Sequence, residues 1–325
     1  MPVLSNIYKN RALLSTVLLC AYAIFLYVFF FMPFMVFDVK EGVVVTALVL
    51  FPLTFGVATQ VIGDPYVARK FATVFWWACL VFAGISLLLL ILEFETVICI
   101  VLAIPLFLPL FAVGIWGARA VLRLLNARFD GRKLHSILLL LPLSYFLAEG
   151  QFTYPYEAQF VKTEIVIDAP VAEVWTHTVE IPEIQPNERI WTFSHRVLRT
   201  PMAVDAVVDG DLRDLRWTKG VRFQERIRHR DEGRYLAWDF EFPDGASLVG
   251  FDPHLTPKGA VLNLTDGFYR LDPMGDGRTK LTLETHYTVH SPMNWYLALW
   301  GDLFLSDFHK SVLFVIKTRS EAAQS

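Results

Sequence analysis

KTEIVIDAPVAEVWTHTV, residues 162–179, is where this 325-residue chain changes character. Ile165 and Ile167 alternate with Glu164, Val166 and Asp168, the period-two pattern of a strand with one buried face. Asp168-Ala169-Pro170 then ends the strand. Proline is preset for the first turn of a helix, and Asp168 stands where a carboxylate can accept from the free N–H groups there. Val171, Val174, Trp175 and Val179 follow at helical spacing and make one apolar face. A strand, a sharp break and a helix capped by Asp168 are the expectation.

Upstream of this stretch the composition is that of a membrane protein. Hydrophobic residues make up 54% of the chain and crowd into the first 150 positions. Four runs, residues 13–37, 42–62, 71–92 and 96–117, are long enough to cross a hydrocarbon core of about 30 Å. A fifth, residues 134–148, is short and broken by Pro142, so it either spans a thinned bilayer or re-enters. Pro33, Pro52, Pro105 and Pro109 lie inside the runs and read as kinks. The apolar run after Lys9 and Arg11 is too long for a cleaved leader and reads as a retained anchor.

Charge sets the expected orientation. Lys9 and Arg11, then Arg69 and Lys70, then Arg119, Arg123, Arg128, Arg132 and Lys133 recur on alternate sides. Asp38 with Glu41, and Glu93 with Glu95, fall on the other side. The positive-inside rule then puts the N-terminus in the cytoplasm. A spanning fifth segment places the rest of the chain in the periplasm, outside a bacterial inner membrane, and a re-entrant one leaves it in the cytoplasm. No span carries an unpaired acidic or basic residue at its middle, which argues against a transporter or channel. The first 150 positions carry 10 Lys/Arg against 7 Asp/Glu, and the remainder 19 against 25. Neither half has the basic stripe that nucleic acid requires. Cys20, Cys79 and Cys99 all lie in apolar runs, leaving no thiolate metal site or disulfide downstream.

Downstream, strand-like runs cover residues 203–208, 212–217, 221–228, 235–242, 261–271 and 280–289, with Asp209-Gly210, Lys219-Gly220, Glu232-Gly233 and Gly277 as turn signals. Residues 181–202 read as loop and short turns, and residues 292–319 as a long final helix. The order is strand, helix, six antiparallel strands, helix. Such a sheet must bury one face, and the final helix is the one element long enough to cover it.

These residues carry a resemblance. Ile165, Ile167, Ala169-Pro170, Val174 and Trp175 are similar to the I-x-I-x-A-P-x-x-x-V-W opener of the START-like, or SRPBCC, superfamily. Trp217, Gly220, Phe223, Glu225, Gly233-Arg234, Leu236 and Trp238 follow in the order of that superfamily, and Tyr269-Arg270-Leu271 with Gly277-Arg278-Thr279 resembles its last hairpin. The superfamily includes polyketide cyclases and lipid-transfer domains. The resemblance implies an α+β helix-grip domain over residues 160–321; nothing in residues 1–150 belongs to the superfamily, and the apolar runs there predict an all-α transmembrane bundle of about five helices. The resemblance also implies a cavity for a hydrophobic ligand, and no particular reaction.

Within such a cavity the candidate lining residues are Trp175, Trp191, Trp217, Phe223, Trp238, Phe240, Phe268, Tyr287, Leu299 and Leu303. Asp302, Ser306 and His309 share one face of the final helix. A hydrolase triad needs the imidazole between nucleophile and acid, and here Ser306 stands between them. Membrane-anchored relatives share the Trp300-x-Asp302 and His309 spacing, which marks Asp302 and His309 as a pair. His286 and His290 lie on one strand face without a carboxylate at ligand spacing, so neither a metal nor another cofactor is expected. Arg222, Arg226, Arg228 and Arg230 take one face of their strand, and Phe223, Glu225 and Ile227 the other. Three readings follow: a membrane-anchored protein binding a lipid or other hydrophobic small molecule, a cyclase- or hydrolase-type enzyme using Asp302 and His309, and a scaffold that docks on membrane-protein partners.

Overall fold

The computed structural model describes residues 13–28, 46–124, 144, 154–243, 256–259 and 261–323. The chain divides into two compact units, Met1–Tyr154 and Pro155–Ser325.

The first unit is helical. Its described elements are α1 (Leu13–Val28), a π-turn at Thr46–Leu50 running into α2 (Phe51–Gly63), α3 (Phe71–Ile91) and α4 (Val97–Leu124). Of these, α3 and α4, with 21 and 28 residues, are long and apolar enough to cross a membrane. Among the described residues there are thus two clear spans where about five were expected over the whole first unit. The apolar helices Leu13–Val28 and Leu48–Gly63 are shorter, and at 1.5 Å per residue each covers roughly 24 Å. Residues 29–45 and the whole of the fifth run, 134–148, apart from Ser144, lie outside the described residues. Pro52 opens α2 and is no kink, whereas Pro105 and Pro109 do lie within α4. Phe55, Phe107, Phe111 and Ile115 pack inside the unit. The helices α2 and α4 touch backbone to backbone: a Cβ on Gly56 would strike the Phe111 carbonyl, and one on Gly114 the Leu53 carbonyl. Small residues at a crossing are how apolar helices approach this closely.

The second unit is a seven-stranded antiparallel sheet in the order β1-β7-β6-β5-β4-β3-β2. The strands are β1 (Tyr156–Ile167), β2 (Ala203–Asp209), β3 (Leu212–Trp217), β4 (Arg222–Asp231), β5 (Tyr235–Glu241), β6 (Leu262–Pro273) and β7 (Thr279–His290). Helix α5 (Val171–Val179) and the single turn α6 (Phe193–Arg196) follow β1, and α7 (Asn294–Ala322) closes the chain. Gly210 and Gly277 sit in turns at φ +62° and +81°, a region glycine enters without steric cost. Bulges at Ala203/Asp205, Ile227/His229 and Leu264/Asp266 bend their strands.

Two local expectations at the opening stretch change. The first strand starts at Tyr156, because residues 156–164 pair along β7 from His290 to Thr282. Asp168 caps nothing: α5 begins after Pro170 without a side-chain cap, and the Asp168 N–H donates to Glu321 of α7 at 2.9 Å.

Alternation sorts the sheet into two faces. Leu281, Leu283, Thr285, Tyr287 and Val289 of β7 point to α7 and are nearly fully buried. Ile167, Val174, Leu236, Leu313 and Ile316 join Leu281 and Leu283 in the main core. At one point α7 approaches with no room to spare: a Cβ on Gly301 would lie 2.8 Å from the Tyr287 ring. Gly301→Leu should push α7 off β7, at a cost of about 1–3 kcal/mol for overpacking. Hydrogen–deuterium exchange of the full chain should show faster exchange in α7 and β7, whereas Gly275→Leu, where a Cβ meets nothing within 4 Å, should change neither.

Candidate functional site

On the inner face of the sheet the core is aromatic: Phe223, Trp238 and Tyr269 of the strands are buried with Trp175 of α5, and Trp217, Phe240 and Phe308 pack against them. One pair of charges interrupts it. Arg213 and Glu225 lie directly opposite each other on β3 and β4, so the strand register itself makes the ion pair. Arg213 Nη1 donates to Glu225 Oε2 at 2.9 Å, and Nη2 to the Thr178 carbonyl at 3.3 Å. The guanidinium carbon lies 5.9 Å from the Trp238 ring centroid and 5.7 Å from that of Tyr269. Burial pushes the Glu225 carboxyl up to about 7, with Arg213 pulling it back, and pushes the Tyr269 hydroxyl up to about 12. Two donors of this cluster, Arg213 Nε and Trp238 Nε1, are buried and meet no hydrogen-bond acceptor among the described residues.

Asp302 and His309 are held by different partners. Asp302 is exposed and accepts from the Tyr287 hydroxyl at 2.8 Å. His309 is wholly buried, with Nδ1 3.1 Å from Thr163 Oγ1 of β1 and Nε2 2.9 Å from Thr285 Oγ1 of β7. Burial pushes its imidazole down to about 3. The buried acid of α7 is instead Asp307, which accepts from the Ser194 N–H at 2.9 Å and hydroxyl at 2.8 Å.

The other named residues divide. Trp175, Phe223, Trp238 and Tyr287 are buried on the inner face, and Trp217 and Phe240 are half-buried beside them. Leu303 is half-buried on α7. Trp191 and Leu299, 67% and 60% exposed, face out and line no interior. Phe268 belongs to the outer face, against Tyr235 and His286. There His286 has the carboxylates it was expected to lack: Nδ1 is 2.7 Å from Asp266 and Nε2 2.9 Å from Glu284. Partial burial pulls this imidazole down, but the two carboxylates hold it above its ordinary value. They engage opposite ring nitrogens and do not converge, and no group of three potential ligands fit for a metal ion occurs among the described residues. Arg226 and Arg228 pair with Glu241 and Asp239 on this outer face.

Sequence reasoning missed the Arg213–Glu225 pair as a site. Its signal was present: Arg213 shares the period-two parity of Leu215 and Trp217, and Glu225 that of Phe223 and Ile227. Opposite charges on the apolar parity of neighbouring strands mark a buried ion pair.

Solved structures resemble this chain at low identity. The ZhuI aromatase/cyclase from Streptomyces sp. R1128 is 13% identical, with a TM-score of 0.33 over 51% of this chain and 96% of that one. Norcoclaurine synthase of Thalictrum flavum is 13% identical, with a TM-score of 0.34 over 53% and 99%. A protein of Thermus thermophilus is 19% identical, with a TM-score of 0.31 over 51% and 100%. No protein-family model and no curated protein matches the sequence. With scores this low, the helix-grip arrangement rests on this chain's own strand order and on the packing of α7.

Two outcomes are expected. Arg213→Met strands a buried carboxylate and should cost about 3–5 kcal/mol, while adding Glu225→Leu should recover most of it; exchange protection of β3 and β4 reads both. For His309, the unfolded imidazole takes a proton below about pH 6.5 while the folded one stays neutral down to about 3. Protons then bind preferentially to the unfolded state, so stability should fall with falling pH across that window. His309→Asn should flatten the fall, read as thermal midpoints of the full chain against pH.

Proposed function

We propose that this protein is a membrane-anchored binder of a hydrophobic small molecule, held between the inner face of the sheet and α7. The observation that carries this reading is the Arg213–Trp238 cluster: two buried N–H donors that meet no acceptor among the described residues, set in an aromatic wall. Buried donors cost free energy unless something accepts from them. A ligand with an apolar body and one oxygen-bearing end meets both demands, and a membrane lipid or a similar amphiphile has that form. Glu225 orients Arg213 and leaves Nε for the ligand.

Anchoring is supported by the first unit, whose outward side chains are as apolar as its interior. Leu80, Leu87, Ile91 and Trp116 are exposed on α3 and α4. A surface of that kind is stable against lipid tails and costly in water. Charge divides its ends: Arg69, Lys70, Arg119 and Arg123 stand at one, where Ser15 of α1 reaches the Ile62 carbonyl. Glu93 and Glu95 stand at the other, where Tyr27 of α1 donates to Glu95. The basic end fits the cytoplasmic side of a bacterial inner membrane. With residues 134–148 crossing as well, the binding unit faces the periplasm.

The enzyme reading has less support. His309 has both ring nitrogens engaged by threonines and Asp302 is bonded to Tyr287, so the two do not form an acid–base pair.

Native mass spectrometry of the full chain, extracted from membranes in mild detergent, tests the proposal. A lipid-sized molecule of one class should co-purify, and Trp238→Phe, which keeps the aromatic wall and removes one donor, should retain severalfold less. A protein that is empty in repeated preparations, or a ligand content indifferent to Trp238→Phe, would sink it.

A further inference from the structure

The second unit carries an exposed apolar surface at the place where the chain enters it. Asn294, the first residue of α7, donates from Nδ2 to the Pro155 carbonyl at 3.0 Å, and Tyr156 is paired with His290 of β7. The start of β1 and the start of α7 are thereby one structural end. On it Tyr156, Trp295 and Leu299 are 64%, 67% and 60% exposed. Trp295 and Leu299, four apart, share a face of α7. Further along the helix the exposed positions after Asp302 are Lys310, Phe314, Thr318 and Ala322, and Phe314, at 37%, is much less exposed than Trp295 and Leu299. A tryptophan and a leucine at this exposure on one helix face are an interaction surface when something apolar lies against them.

The chain before Pro155 says what that is. Residues 134–148 contain no acidic residue, lysine or arginine, and only the six residues 149–154 separate them from Pro155. Six residues reach at most about 20 Å when fully extended. Tryptophan and tyrosine are the side chains that settle at the lipid–water boundary. Charge narrows the partner further: across residues 155–160 and 291–303 the charged side chains are Glu157 and Asp302, with no Lys or Arg. Attraction to anionic headgroups has no source here, so contact comes from aromatic and aliphatic insertion.

We infer that Tyr156, Trp295 and Leu299 dock the second unit on the zwitterionic lipid interface, bringing the start of α7 against the bilayer surface. The inference rests on the membrane reading proposed above and adds to it a route: a molecule leaving the bilayer meets the binding unit at the end where α7 and β1 begin.

The test uses the full chain in phosphatidylcholine nanodiscs, with Cys20, Cys79 and Cys99 changed to Ala. A nitroxide is placed at Trp295→Cys, at Leu299→Cys, and at Lys310→Cys as the reference. Power saturation then compares collisions with oxygen, which concentrates in lipid, and with a water-soluble nickel chelate. The oxygen-to-nickel ratio at 295 and 299 is expected to be severalfold above that at 310. A ratio equal to that at 310 would overturn the docking. So would protection from both reagents, which means a protein partner or a second copy covers the face. Release of the chain from membranes by an alkaline wash would remove the membrane reading itself, whereas a chain that stays in the membrane with a wet label at 295 and 299 removes the docking alone.

Discussion

The second unit depends on one buried imidazole. His309 has no exposure to solvent, yet both of its nitrogens are satisfied, one by Thr163 of β1 and one by Thr285 of β7. Those hydroxyls reach it only if both strands keep the pairing that sets Thr163 beside Leu283 and Val161 beside Thr285. A slip of one residue would turn either threonine to the outer face. The same bonds set the rotation and the axial position of α7, so one side chain couples the sheet register to the placement of the helix. A neutral imidazole suits the task, because a charged one at that depth would have to be desolvated.

From that contact the rest of the grip follows along α7. Roughly two turns before it, Gly301 admits the Tyr287 ring; two residues before it, Asp307 holds Ser194. Near the end of the helix Arg319 bonds both oxygens of Glu188 and the carbonyls of Pro182 and Glu183. Residues 181–202, which carry no long element, are thus organised by what α7 presents to them. The Arg213–Glu225 pair lies on β3 and β4, where α7 reaches the sheet through Phe308 stacked on Trp217 and α5 holds Arg213 through the Thr178 carbonyl. Its polar groups face an aromatic wall, and keeping an ion pair there is costly in desolvation.

The first unit follows a different rule. Its described helices carry apolar side chains outside, such as Leu80, Leu87, Ile91 and Trp116, as well as inside, so apolar burial alone does not tell the helices how to meet. Gly56 and Gly114 do, by letting α2 and α4 come into backbone contact. Polar groups at the basic end add a second constraint: Arg119 bonds Gln60 and the Arg69 carbonyl, and the buried Asp64 carboxylate accepts from the N–H groups of Ala68 and Arg69. These charges lie at a helix end, each with a partner, as expected where unpaired ones would be expensive.

Much of this was legible in the chain. All seven strands and the long final helix were visible from alternation, helical spacing and the glycine turns, because those patterns are local. The apolar runs were visible too, although among the described residues only α3 and α4 form long helices. The partners were hidden. Asp168 looked like a cap and instead presents its N–H to Glu321, 153 positions away in sequence. Trp191, Phe268 and Leu299 looked like cavity lining by residue type and face outward, because a face is assigned by register and contact and not by hydrophobicity. Asp302 and His309 looked like a pair and belong to two separate bonds across to the sheet. By itself the sequence determined which segments become strands and helices and where the chain passes from apolar to mixed composition, since both follow from the order of polar and apolar residues. Tertiary structure alone decided that Arg213 meets Glu225, that His309 lies between two threonines, and that Arg213 Nε and Trp238 Nε1 are buried with no acceptor among the described residues, since these depend on which strand lies beside which.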